Sequence, residues 1–254
     1  MSIGAIIIGS ITGFISAFFG IGGSSIDTPL LRVFMHTPPY VALGSPLPTA
    51  LLTITIALLT YWKKHLVNYR VFGWSIVGGM PGIILGSYLS QFFSGQFLML
   101  LTALILFLVG VDFIYKNFSK NKTDRNNYAK VETINPAYIA SIAFVISAIS
   151  GILANGGGLL LIPAYVLLFR MEIKNAIATS LLTVAIMFIP ALLIHYRLGH
   201  IDLGISAAMS IGVIPMAYIG AKMDLKTKSS TLQMLFGLML IAFSIYFLIS
   251  QISV

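Results

Sequence analysis

Two short stretches carry the residue types that could hold an anion without a cationic side chain. One is Gly20-Ile21-Gly22-Gly23-Ser24-Ser25-Ile26-Asp27-Thr28-Pro29, and the other is Asn155-Gly156-Gly157-Gly158-Leu159-Leu160-Leu161-Ile162-Pro163. Each interrupts an apolar run. Glycine removes the side chain and permits positive φ, which a sharp reversal requires. A short apolar piece follows each break, so each predicts a short helix whose N-terminus points into the protein. The first amides of such a helix have no intrahelical partner, and its dipole adds partial positive charge. Two such ends converging would form an anion site from Gly22, Gly23, Gly156, Gly157 and Gly158. Ser24 and Ser25 would add hydroxyl donors, and Asn155 an amide. The competing reading is that the glycines only let helices pack closely.

Asp27 is the only acidic residue that the sequence places deep among apolar spans, where a carboxylate is costly and by default functional. It is a candidate for proton coupling. Ser24 to Asp27 also fits a capping box, with Ser24 as N-cap, so capping is the plain alternative. Ser45 and Thr49, and Thr179 and Thr183, are each four apart and so share a helix face. They are candidates to line the cavity beside the breaks, with Thr53 and Ser180 nearby; ordinary interhelical hydrogen bonding is the alternative. His36, His65, His195 and His200 show no metal-ligand spacing with one another or with Asp or Glu, so no metal site is expected. No nucleophile–base pair stands out in the spans, so no catalytic residues and no enzyme are expected. No nucleotide-binding loop and no cofactor motif is present.

The elements that must position these residues come as a duplication. Pro29 and Pro163 set the offset, 163 − 29 = 134, and it holds without a gap. Ala42 meets Ala176, Thr49 meets Thr183, Lys63 meets Arg197, Pro81 meets Pro215 and Gly86 meets Gly220. Of the 254 residues, 58% are hydrophobic and 9% charged, with a mean hydropathy of +0.98. A soluble domain carries about 25% charged residues, so the solvent for this chain is a bilayer. The net charge of +8 sits in short gaps between apolar spans, which argues against a nucleic-acid partner. Without cysteine there are no disulfides or thiolate metal sites. Residues 3–19 read as a retained membrane segment and not as a signal peptide.

Apolar spans fall near 3–19, 40–61, 71–92 and 97–115, with a short piece at 26–36. They recur near 136–154, 174–196, 203–222 and 231–250, with a short piece at 159–169. The polar stretch 116–135 reads as a linker. Pro46 and Pro48 belong to a first helical turn; Pro81, Pro190 and Pro215 are interior and predict kinks. Tyr61, Trp62 and Tyr196 read as aromatic-belt residues. If each break is the tip of a hairpin, one face holds every Lys and Arg except Arg32 and Arg197. The bias of basic residues to the cytoplasm then favours the hairpins. The expectation is an all-α polytopic membrane protein of two inverted repeats, 1–118 and 136–254, with a cytoplasmic linker at 119–135. Each repeat opens with a glycine-broken helical hairpin followed by three transmembrane helices. Both termini lie outside the cell membrane.

FISAFFGIGGSSIDTPLL and AISGILANGGGLLLIPAYVL resemble the two signature segments of the TauE/SafE sulfite-exporter-like family. ALGSPLPTALL and AIATSLLTVAI are similar to its second conserved segment. The resemblance covers nearly the whole chain except the linker. It implies export or uptake of small organosulfonates and sulfur oxyanions across the plasma membrane; with the duplicated breaks, the expectation is a secondary transporter of a sulfite-, thiosulfate- or organosulfonate-type anion, held at the midplane between the breaks. Ser24, where a third glycine is usual, and Asn155 depart from the pattern where substrate would be read. The alternative is an anion channel using the same helix ends. The implied partners are a small anion and the lipid bilayer, and a homo-oligomer is left open.

Overall fold

A computed structural model describes residues 2–22, 24–62, 64–89, 92, 103–104, 107–115, 134–152 and 158–252, and the described residues contain helices and no strand. In chain order the helices are α1 (Ser2–Phe19), α2 (Ser24–Met35), α3 (Pro39–Gly44), α4 (Pro46–Trp62), α5 (Tyr69–Leu89), α6 (Pro136–Ile152), α7 (Gly158–Leu167), α8 (Ile173–Arg197), α9 (Leu203–Lys226) and α10 (Ser229–Ile252). Residues 107–115 are also helical. Most of the expected span near 97–115 and of the linker falls outside the described residues. Five of the described helical stretches are long and apolar enough to cross a membrane, including the run Tyr40–Trp62 formed by α3 and α4. Apart from the one near 97–115, the expected spans agree with observed helices to within a few residues, although α1 and α6 are shorter than the five that are long enough to cross.

The offset of 134 recurs in the packing. The two most extensive helix contacts are α1 on α9 and α5 on α6. Both seams run on small residues. A side chain at Gly212 would strike the carbonyl of Ile6, and one at Gly78 would strike that of Ala140. A side chain at Gly220 would strike the carbonyl of Phe14, and one at Gly86 that of Ala148. Each pair maps onto the other under the same offset. Close backbone approach at glycine replaces the hydrophobic drive that lipid does not supply. Gly9 meets Met209 and Gly13 meets Val213, so α1 and α9 run in the same direction. The first helix of each half thus packs on a later helix of the other half, α1 on α9 and α6 on α5.

Two hydrogen bonds tie the halves in the same paired way. The Asp202 amide donates to Ser45 Oγ at 2.9 Å, and the Asn68 amide donates to Thr179 Oγ1 at 2.9 Å. Asp202 caps α9 by accepting from the amides of Gly204 and Ile205; Asn68 accepts from the amide of Val71 at the start of α5. The head of α4 therefore lies at the tail of α8, and the early turns of α8 lie at the tail of α4. Proline at the first position of α4, after Ser45, splits the element that runs unbroken as α8. Pro81, Pro190 and Pro215 lie inside continuous helices as expected, and so does Pro163.

Both hairpins close on themselves. Leu31 of α2 clusters with Ala5 and Ile8 near the start of α1. Phe169, just after α7, meets the ring of Tyr138 near the start of α6 at 6.0 Å. One end of the bundle carries Asn68 on Thr179, Lys174 Nζ on the Leu225 carbonyl at 3.0 Å, and Arg70 on the Ile134 carbonyl at 3.0 Å. We call it the basic end. The opposite end carries Ser45, His200, Asp202 and Ser206.

Tyr61 departs from its expected interfacial place. It is fully buried and its hydroxyl has no partner, whereas Trp62 and Tyr196 are exposed. Its counterpart under the offset is His195, also buried, with Nε2 unpartnered. The sequence marks both as helix ends but not which way they point.

Candidate functional site

α1 ends at Phe19 because Gly20 and Gly22 adopt φ of +69° and +85°. The Ile21 amide closes the helix by donating to the Ser16 carbonyl at 3.1 Å, a helix-terminating bond of the kind that uses a left-handed glycine. Gly20 lies against Ile177 of α8. A Cβ at Gly22 would come 3.4 Å from Ile54 of α4 and 3.6 Å from Val184 of α8. The second break arrives at the same place. A Cβ at Gly158, the first residue of α7, would sit 2.6 Å from the Ile21 carbonyl oxygen. Gly23, Asn155, Gly156 and Gly157 lie outside the described residues, as do the side chains of Ser24 and Ser25.

The breaks meet beside an α8 face whose hydroxyl is unused. Ser180 shares a face with Ile177 and Val184, is fully buried, and has no hydrogen-bond partner. Ser16 and Ser150, one turn before each break and related by the same offset, are likewise buried with unpartnered hydroxyls. A buried polar group left unpaired costs about 1–3 kcal/mol. Nothing local in the sequence marks Ser16 and Ser150; the offset alone pairs them. Among the described residues no lysine or arginine is buried, so an anion here would depend on amides and hydroxyls.

Asp27 lies in the first turn of α2, 2% exposed. α2 begins at Ser24 itself, so Ser24 is a helical residue and not the residue before the helix. One carboxyl oxygen of Asp27 has no partner, and the side chain is hydrogen-bonded to Thr12 of α1. The Thr12 hydroxyl also donates to the Ile8 carbonyl at 2.9 Å. Under the offset, Asp27 and Thr12 correspond to Leu161 and Ile146, so the polar pair occurs in one half alone.

The helix hydroxyls divide into two kinds. Ser45 and Thr179 are occupied in the corner bonds between halves. Thr49 and Thr53 bond back to Pro46 and Thr49 carbonyls at 2.8 and 3.0 Å. Thr183 donates to the Thr179 carbonyl at 2.8 Å, and the Tyr165 hydroxyl reaches both Thr183 at 3.4 Å and Ser75 at 2.8 Å. Tyr165, buried at the centre of α5, α7 and α8, was not singled out in the sequence.

Two features lie beyond the sequence reading. Asp224, near the end of α9, is fully buried with both carboxyl oxygens unpartnered. His195 and His200, which show no ligand spacing in the sequence, meet with their Nδ1 atoms 3.1 Å apart because Gly199 turns the chain at φ +71°. One nitrogen must donate and the other accept. Burial pushes the His200 pKa down, and its ring stacks on Tyr40 at 4.9 Å. Among the described residues no third ligand joins them.

The family model for the sulfite exporter TauE/SafE matches residues 5–247. The chain belongs to this family. TauE/SafE relatives include the probable membrane transporter protein YunE of Bacillus subtilis, 26% identical, with 93% of each chain covered. A probable membrane transporter protein of Xylella fastidiosa is 28% identical over 94% of this chain and 91% of its own. No solved structure matches. The family and these relatives make the chain a membrane transporter, and the apolar helices of the fold agree.

Proposed function

We propose that the chain is a secondary transporter of a small sulfur-containing anion, such as sulfite, thiosulfate or an organosulfonate, held where the two glycine breaks meet. The observation that carries this reading is the approach of Gly158 to the Ile21 carbonyl, with unpartnered hydroxyls of Ser16, Ser150 and Ser180 around it. The first-turn amides of α2 and α7 bind the anion's oxygens, and Gly22, Gly23 and Gly156 to Gly158 keep that space free of side chains. Ser24, Ser25 and Asn155 complete the shell. Thr49 and Thr183 border it, with Ser45 and Thr179 holding the surrounding corners. The test is flux of radiolabelled sulfite in proteoliposomes. Saturation and counterflow are expected; an ohmic, non-saturating current would make it a channel, and no sulfite flux would remove sulfite as substrate.

The repeats 1–118 and 136–254 are inverted, related by a pseudo-two-fold axis and joined by the linker 119–135. The head-to-tail placement of α4 and α8 supports this, as do the paired Ser45–Asp202 and Thr179–Asn68 bonds. The basic end faces the cytoplasm and both termini face outward. The chain has no native cysteine, so Lys64→Cys and Lys226→Cys give single exposed thiols. Both should resist an impermeant maleimide on intact cells and react after permeabilisation. Labelling of either from outside would reverse the orientation.

Asp27 carries a coupling proton. The Thr12 hydroxyl has one proton, which either the Ile8 carbonyl or the Asp27 carboxyl can accept, so it meets the carboxyl with at most one donor. Neutral Asp27 leaves the anion unopposed; ionised Asp27 repels it. Anion affinity should fall as pH rises through the pKa of Asp27 in the protein. Asp27→Asn should keep counterflow at every pH and lose acceleration by a proton gradient. Unaltered pH dependence in the variant would leave Asp27 as a helix-capping residue.

A further inference from the structure

Asp224 lies on the α9 face that packs against α1. Val213 meets Gly13 and Gly220 meets Phe14 and Phe18, and Asp224 follows Gly220 by one turn on the same side. α1 runs alongside in the same direction and stops at Phe19. The carboxyl therefore falls beyond the end of α1, on the basic-end side of the first break. Asp27 falls on the other side, opposite Thr12, about 10 Å back along α1 from its end. We propose that Asp224 is a second proton-binding carboxyl of the transport cycle, serving the break from the basic end as Asp27 serves it from the opposite end.

Among the described residues, the groups around Asp224 leave it without a counter-charge. α1 has no titratable side chain between Ser2 and Phe19, and in α4 the one titratable group is the Tyr61 hydroxyl, buried and unpartnered. Lys174 of α8 spends its ammonium on the Leu225 carbonyl. Glu172 accepts from the Ser229 hydroxyl at 2.7 Å. Lys222 lies over the Tyr218 ring, and it and Lys226 are exposed. The α1 carboxyl end adds partial negative charge nearby, so an anion would be repelled and a cation favoured. An ionised carboxylate so placed would be buried without a partner, which is severely unfavourable. A proton taken from water at the basic end removes that cost and is returned there on release. Only the O–H bond forms and breaks.

This inference rests on the transporter reading, so the experiment separates the two. Infrared difference spectra of the whole protein in liposomes, titrated across the neutral range, should show a protonated-carboxyl C=O band. Part of that band should vanish in Asp224→Asn and persist in Asp27→Asn, in sodium-free buffer and in sodium alike. No band change in Asp224→Asn, or a band displaced by sodium, would overturn the assignment. In the same liposomes, Asp224→Asn should retain sulfite counterflow and lose accumulation driven by a pH gradient at least about tenfold; Asp224→Glu should restore it. Full gradient-driven uptake in Asp224→Asn would overturn the role. Absence of sulfite flux in the wild type would remove sulfite as the substrate while the infrared result still decides proton binding.

Discussion

Replacing Gly158 with alanine should reduce transport by about a hundredfold without unfolding the protein. The added Cβ would lie 2.6 Å from the Ile21 carbonyl oxygen and 2.9 Å from its carbon. Those atoms are backbone, held by the Ile21–Ser16 bond, and cannot turn aside as a side chain can. The two breaks must part by roughly an ångström, and misplacement on that scale costs about a hundredfold in an oriented site. Gly22→Ala is the contrasting variant. Its Cβ would meet ordinary contacts at 3.4 Å and beyond, but at φ +85° it costs about 1–2 kcal/mol of backbone strain. It should lower stability more than affinity. Sulfite flux and thermal unfolding measured side by side check both. A fully active Gly158→Ala would mean that the meeting of the breaks is not the binding site.

The seams between α1 and α9 and between α5 and α6 should give the largest stability losses. Gly78→Ala would place a methyl on the Ala140 carbonyl, and Gly212→Ala one on that of Ile6. Forcing extra volume into a packed contact costs about 1–3 kcal/mol, and more when backbone must move. Gly4 and Gly73 have nothing within 4 Å of a built Cβ, so alanine there should be neutral or stabilising by up to about 1 kcal/mol through helix propensity. The two seam variants should melt lower by similar amounts, because the offset makes them one contact seen twice. Equal melting of Gly78→Ala and Gly73→Ala would disprove close packing at the seam.

The breaks were legible because glycine, proline and an unbroken offset leave their mark on the chain itself. Span ends were legible because apolar length is a local property. Partners were not. Whether Ser45 and Thr179 serve a ligand or a neighbouring helix depends on Asp202 and Asn68, more than a hundred residues away. The glycines at 9, 13, 78, 82 and 86 advertise close packing at four-residue spacing, yet nothing in one repeat says that its partner belongs to the other. Asp224 stands at a span end flanked by Lys222 and Lys226, so composition reads it as interfacial. Its helix turns it to the same side as Ala217 and Gly220, which is the buried side.

The exchange of first helices between halves has a consequence for biosynthesis. Gly9 must wait for Met209, which is 209 − 9 = 200 residues later in the chain. At roughly 5–20 residues per second, α1 stays in the bilayer for about 10–40 s before its seam exists. Through that interval its glycine-lined face has only lipid or an insertase to lean on. A ribosome stalled before α9 would release a chain with α1 orphaned, and that exposed helix is what a membrane protease or chaperone would recognise first.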